Sequence, residues 1–197
     1  MKRRTFLKYA AASLIGATCP FLWDVNRASA NGIDVREPMI YKRFFQFTEY
    51  VKCPSIEDIV IHHSGFPDGR DSTAEAIHRF HRDTNGWAGI GYHYFIRKDG
   101  MIEQGRRPGY VGAHAYQHNQ TSIGICLSGN FEFQKPSEAQ MESVKELVAW
   151  LCAKYGLNPE KKAVIVGHKD VCEDTSCPGV HLYRRLVEIR RYCIANL

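Results

Sequence analysis

Two short apolar runs that end in histidines dominate the pattern of hydrophobic and polar positions. Asp58 to His63 (DIVIHH) reads as a buried strand running into a histidine pair, and Ala163 to Val166 (AVIV) as another that breaks at Gly167. Between them, Ser72 with Glu75 three residues on predicts a capping box and a helix to about Thr84. Its expected core face is Ala76, Ile77 and Phe80, with His78 and His81 at the surface or in a groove and no ligand role for either. Tyr92 to Ile96 alternates as a strand, Lys98-Asp99-Gly100 is a hairpin turn, and Met101 to Gln104 returns. Ser122 to Leu127 is a further strand. Ser137 caps a long helix to Tyr155, with Met141, Val144, Val148, Leu151 and Tyr155 on one stripe and Gly156 at its end. A last helix puts Leu182, Leu186, Ile189 and Cys193 on one face. Strands interleaved with helices predict an α/β fold: a single domain with a central mixed β-sheet flanked by helices.

Composition changes this picture little. The 197 residues suffice for one well-buried domain, and 44% hydrophobic with 24% charged residues is ordinary globular content. The net charge of +5 looks basic, but the first thirty residues hold Lys2, Arg3, Arg4, Lys8 and Arg27 against Asp24, a surplus of four. The rest is nearly neutral, which removes the electrostatic case for a nucleic-acid partner.

Residues 1–30 read as a targeting segment. Arg3 and Arg4 precede Phe6, Leu7 and Lys8, a short apolar run follows, and Ala28-Ser29-Ala30 is the small-x-small pattern of signal peptidase cleavage. The paired arginines resemble a twin-arginine (Tat) export signal. The apolar run is shorter than the ~18 residues a membrane anchor needs. The expectation is a periplasmic or extracellular protein beginning near Asn31, with no stable membrane anchor once the signal is cut. Residues 31–52 form an aromatic-rich extension (Tyr41, Phe44, Phe45, Phe47, Tyr50) expected to pack over the core, and residues 53–197 form the domain proper. Cys19 leaves with the signal. If Cys177 binds metal, five cysteines remain, enough for at most two disulfides.

The candidate chemistry sits in VIVGHKDVCEDTSCPG, Val164 to Gly179, whose loop carries His168 and Cys177. An imidazole and a thiolate are zinc ligands, and the strand ending His62-His63 can supply a third, placing a zinc site at one edge of the sheet. Adjacent residues of a strand point to opposite faces, so one of the two histidines is the candidate and the other packs or hydrogen-bonds. Three protein ligands leave a position for water, as in catalytic rather than structural zinc sites. A structural site would need Asp170, Cys172 or Asp174 to close it.

IVIHHS, GIGYHYFIRKDG, GAHAYQHNQTSIGICLSGNF and VGHKDV…TSCPG together resemble, in content and order, the zinc N-acetylmuramoyl-L-alanine amidases, the group that includes peptidoglycan-recognition proteins and phage lysozyme-type amidases. The resemblance spans roughly His62 to Gly179. It implies His62, His168 and Cys177 as zinc ligands, with Tyr92 required for hydrolysis and Thr175 a helper beside the metal. It also implies that the loop bearing His114, His118 and Asn119 borders a groove for peptidoglycan or muropeptides. Members without the cysteine bind peptidoglycan but do not cleave it; this chain keeps it, so an enzyme is expected, with a non-catalytic binder as the alternative. One departure stands out: Cys126 occupies the place where some relatives carry a glutamate general base, and a buried thiol is poorly suited to that work.

Overall fold

The computed structural model describes residues 35–197; the expected export signal, Cys19 and the first residues of the extension lie outside the described residues. The elements in order are β1 (Ile40–Lys42), β2 (Asp58–His63), α1 (Ala74–Asp83), β3 (Tyr94–Ile96), β4 (Ile102–Gln104), β5 (Ser122–Leu127), α2 (Glu138–Tyr155), β6 (Ile165–Gly167), a 3-10 turn (His168–Asp170) and α3 (Val180–Asn196). The strands form one sheet in the order β1-β4-β3-β5-β2-β6. Only the β3–β4 hairpin is antiparallel; the other pairs run parallel, so the sheet is mixed as expected.

β2 and β5 lie side by side from Asp58 opposite Ser122 to His63 opposite Leu127. Every residue of both is buried except His63, which is half-buried. Parallel strands covered on both faces read as unbroken apolar runs, which is why DIVIHH and SIGICL show no alternation. One face, through Ile59, Ile61, Ile123 and Ile125, packs against α2 and α3, with Val144, Leu147, Leu182 and Ile189 in the same core. The other face builds a smaller cluster from Ala74, Ile77, Ile90, Phe95 and Cys126, with Phe45 and Phe47 of the extension packed against it.

The long helix starts and stops as its sequence predicts. Ser137 accepts from Gln140 N while the Gln140 side chain returns to Ser137 N, and Gly156 closes the end at φ 66°. The first helix differs. Its N-cap is Thr73, whose hydroxyl accepts from Ala76 N, while Ser72 N donates to Ser128 Oγ. A fully buried carboxylate from β4, Glu103, also takes part: Oε2 accepts from Ala74 N at 2.7 Å and Oε1 from Arg43. A negative side chain at a helix N-terminus satisfies an orphan donor and meets the positive end of the dipole.

The core face of α1 is also corrected. Ala74, Ile77, His78 and His81 are buried, whereas Phe80 is 47% exposed. Both histidines serve the backbone of the next segment: Ile90 N donates to His78 Nδ1 and Gly91 N to His81 Nδ1. The strands are corrected as well, β3 beginning at Tyr94 rather than Tyr92 and β4 at Ile102 rather than Met101. β1 arises inside the extension, pairing parallel with β4 (Ile40 opposite Ile102), and β6 begins at Ile165, since Ala163 is exposed. The six described cysteines are all free thiols.

Candidate metal centre

The strand period sends the two histidines of β2 apart. His63 turns away, its Nδ1 accepting from Phe131 N at 3.1 Å. His62 goes to the α1 face, is 1% exposed, and lies opposite Cys126 of β5. The next strand over, β6, delivers His168 into the 3-10 turn. Asp170 fixes that turn by accepting from Gly167 N (2.8 Å) and from the Tyr183 hydroxyl (2.7 Å). Lys169 N then donates to the carbonyl of Cys177 at 2.8 Å, folding the end of the loop back onto its start. This return brings Cys177, nine residues on in sequence, beside His168.

The ligating atoms of His62, His168 and Cys177 all lie within 4.8 Å of one another. His62 Nδ1 and Cys177 Sγ are 3.7 Å apart; a tetrahedral zinc site with bonds of about 2.0 and 2.3 Å has an N–S edge of about 3.5 Å. Three further observations fit a metal. His168 Nε2 is buried with no hydrogen-bond partner among the described residues, an arrangement native proteins rarely tolerate. Burial pushes the Cys177 thiol up to about 12, with Glu132 acting in the same direction and the hydrogen bond from His63 N opposing it; a bound dication is the charge that would stabilise its thiolate. Burial, followed by the neighbouring His114 and His168, holds His62 well below the usual imidazole range, and burial lowers His168 too. Both are therefore neutral and able to ligate. Among the described residues no fourth side chain joins the group, and Asp170 has both oxygens engaged elsewhere. The set is open.

Tyr92 stands beside it. Its ring centroid is 5.2 Å from that of His62 and 5.5 Å from that of His81, and the side chain is half-buried. Burial first, then Cys126 and Cys177, keeps its phenol well above the ordinary value. Cys126 is fully buried, which holds its thiol well above the usual range as well. Thr175 Oγ1 accepts from Cys177 N at 3.1 Å, shaping the loop at the ligand.

The loop from 112 to 122 is organised from within. Asn119 Oδ1 accepts from both His114 N (2.8 Å) and Ala115 N (2.9 Å). His114 is 7% exposed and turns its Nδ1 to His62 Nε2 at 3.1 Å, so its contacts lie with the metal group and not with a groove. His118 Nε2 is 2.8 Å from Asp58 Oδ2, and its side chain is 32% exposed. Asp58 begins β2 and His62 lies four residues on, which puts His118 beside the far end of the strand from His62. Two open cavities lie elsewhere: one of about 270 Å³ is lined by Val35, Glu146 and Tyr192, and one of about 520 Å³ by Phe44, His78 and Arg82.

Fold and site together define an α/β protein with an open three-ligand metal group. The chain belongs to the N-acetylmuramoyl-L-alanine amidase family, whose model matches residues 53–180. Among curated relatives, peptidoglycan-recognition protein LB of Drosophila melanogaster is 35% identical over 134 residues, covering 65% of this chain and 56% of that protein. The endolysin of Klebsiella phage KP32 is 32% identical over 141 residues, covering 69% of this chain and 89% of that protein. The chain thus spans most of the phage enzyme but little more than half of the insect protein. Among solved structures, the N-acetylmuramoyl-L-alanine amidase LysC from Clostridium intestinale superposes with a TM-score of 0.70 at 34% identity, covering 79% of this chain and 97% of that one. A Drosophila PGRP-LB mutant in complex with tracheal cytotoxin superposes at 0.62 and 31% identity, covering 75% and 92%.

Proposed function

We propose that this protein is a zinc-dependent amide hydrolase that cleaves the bond between N-acetylmuramic acid and L-alanine in peptidoglycan. The observation that carries it is the open His62–His168–Cys177 group with Tyr92 alongside. Family membership supports the substrate class, and the donor set of two neutral imidazoles and one thiolate supports zinc.

A zinc ion held by these three residues supplies Lewis-acid polarisation of the amide carbonyl and lowers the pKa of a water from about 16 to roughly 7. The chain's own groups do the rest. Tyr92, kept protonated at neutral pH, is a hydroxyl donor for the oxyanion that develops on the carbonyl oxygen. Thr175 uses an oxygen lone pair on Cys177 N and so keeps its own proton to donate on the same side. Cys126 stays a thiol and is not the acceptor of the water's proton. His118, at the far end of β2, is a candidate contact for parts of the substrate remote from the scissile bond, and Asn119 acts by holding the shape of its loop.

The same reading places the protein outside the cytoplasm. Arg3, Arg4 and Ala28 to Ala30 support export by a twin-arginine route. Replacing both arginines with lysine is expected to leave the chain in the cytoplasm in a fractionation assay; unchanged export would remove that part of the proposal.

The activity is tested by incubating zinc-loaded protein with purified peptidoglycan and analysing the soluble products by mass spectrometry, with Cys177→Ala as control. Free stem peptides with an L-alanine amino terminus, absent from the control, are expected. Retained binding without products would make the protein a peptidoglycan binder instead.

A further inference from the structure

His62 has two ring nitrogens, and the structure gives them different tasks. Nδ1 faces Cys177 Sγ, so a metal held between them takes that lone pair and the ring proton sits on Nε2. A buried N–H needs an acceptor. The atom that meets it is His114 Nδ1, at 3.1 Å. We propose that His114 is a positioning residue for the metal centre: it accepts the Nε2 proton of His62, fixing that ligand's tautomer and ring orientation. This inference rests on the metal reading of the site but not on the identity of the substrate.

The surroundings are built for that ring. His114 Nε2 lies 3.5 Å from Ser122 Oγ, and Ser122 in turn donates to the carbonyl of His118 at 2.5 Å. The chain of donors therefore runs one way, from His62 through His114 to Ser122 and the backbone. It leaves His114 protonated on Nε2 and an acceptor at Nδ1. The ring is wedged between two glycines. A methyl group added at Gly124 would come within 2.5 Å of its Cγ and Cδ2, and one added at Gly112 within 2.5 Å of its Cδ2. Any other residue at either place would push the imidazole off His62. The backbone of His114 is pinned as well, since Asn119 accepts from its N–H and from the next. A residue buried only to fill space would not need both nitrogens aligned. Ligating histidines commonly hand their second N–H to such a partner, and losing one typically weakens metal binding about 10- to 100-fold.

The test separates this role from packing. Phe at the position (His114→Phe) keeps the planar ring and removes the acceptor; Asn (His114→Asn) removes the ring and keeps an acceptor where Nδ1 stood. Zinc affinity, measured by competition with a chromophoric chelator and with no substrate present, is expected to fall about 10- to 100-fold in His114→Phe and to recover in His114→Asn. Imidazole nitrogen shifts of the zinc-loaded wild-type protein supply a readout that needs no variant. They should show His62 and His114 each protonated on Nε2. Wild-type zinc affinity in His114→Phe, or a proton on His114 Nδ1, would overturn the proposal. A chain that binds zinc as expected but releases no peptides would leave this role intact and instead defeat the amidase reading.

Discussion

Tyr92 shows how one residue can be tuned by what surrounds it. Its ring lies against those of His62 and His81, and burial keeps its hydroxyl protonated. A donor aimed in advance at a developing oxyanion is worth about 3 kcal/mol, or roughly a hundredfold in kcat. Tyr92→Phe retains the ring contacts, so it is expected to lower kcat by about that factor while zinc content and KM stay near wild type. An equal loss of bound zinc would show a structural role instead. The residues differ in how plainly their sequence announced them. That only one histidine of the His62-His63 pair could be a ligand followed from strand alternation, and the family resemblance picked His62; the structure places His63 on Phe131 N. His114 sat in a loop of polar residues, and nothing in its neighbours' chemistry marked it as buried. Its setting depends on Gly112 and Gly124, which are close to it only after the sheet forms.

At the scale of elements, α1 carries the clearest lesson. Ala74, Ile77, His78 and His81 form a regular helical stripe, yet treating histidine as polar rotates the inferred face onto Phe80. The buried imidazoles are there as hydrogen-bond acceptors for the segment leading into β3. That has a consequence in acid. Burial lowers His81 to about 4, with Arg106 and His78 adding to it, and burial likewise lowers His93 to about 4. The unfolded chain takes up protons below its ordinary value near 6.5 while the folded one does not. Stability is therefore complete above about pH 6.5 and is lost as the pH falls toward 4, by about 2 kcal/mol for each histidine at pH 5. Urea unfolding of metal-free protein at pH 7.5 and pH 5 should show the drop; a flat midpoint would mean these rings are not held neutral. By contrast, α2 was legible from end to end because its signals are local: a capping box, a stripe and a terminal glycine. β1 was not, since three residues are too few for a period to appear.

Across the whole molecule the sheet divides labour between its faces. α2 and α3 bury the larger cluster on one side, and the metal group occupies the other, next to the smaller cluster. That strands and helices interleave around one mixed sheet was legible in the sequence; the order of the strands was not, because parallel pairing leaves no local signal. The meeting of His62 with His168 and Cys177 depends on β2 and β6 being neighbours, which becomes readable only through the family resemblance.

The family match opens at Cys53, but the sheet does not. β1 lies ahead of that point, and it is the strand that closes the outer side of β4. A chain begun at Cys53 would present the backbone of Ile102 to Gln104 as a bare edge, the usual template on which one molecule adds to another. It would also leave the Glu103 carboxylate without Arg43, and the histidine face of α1 without Phe45 and Phe47. Such a shortened protein is expected to associate with itself as concentration rises, visible in sedimentation velocity, while the longer chain stays unchanged. The twenty or so residues before the recognisable domain thus belong to the folding unit, and the boundary drawn by likeness to relatives falls inside it.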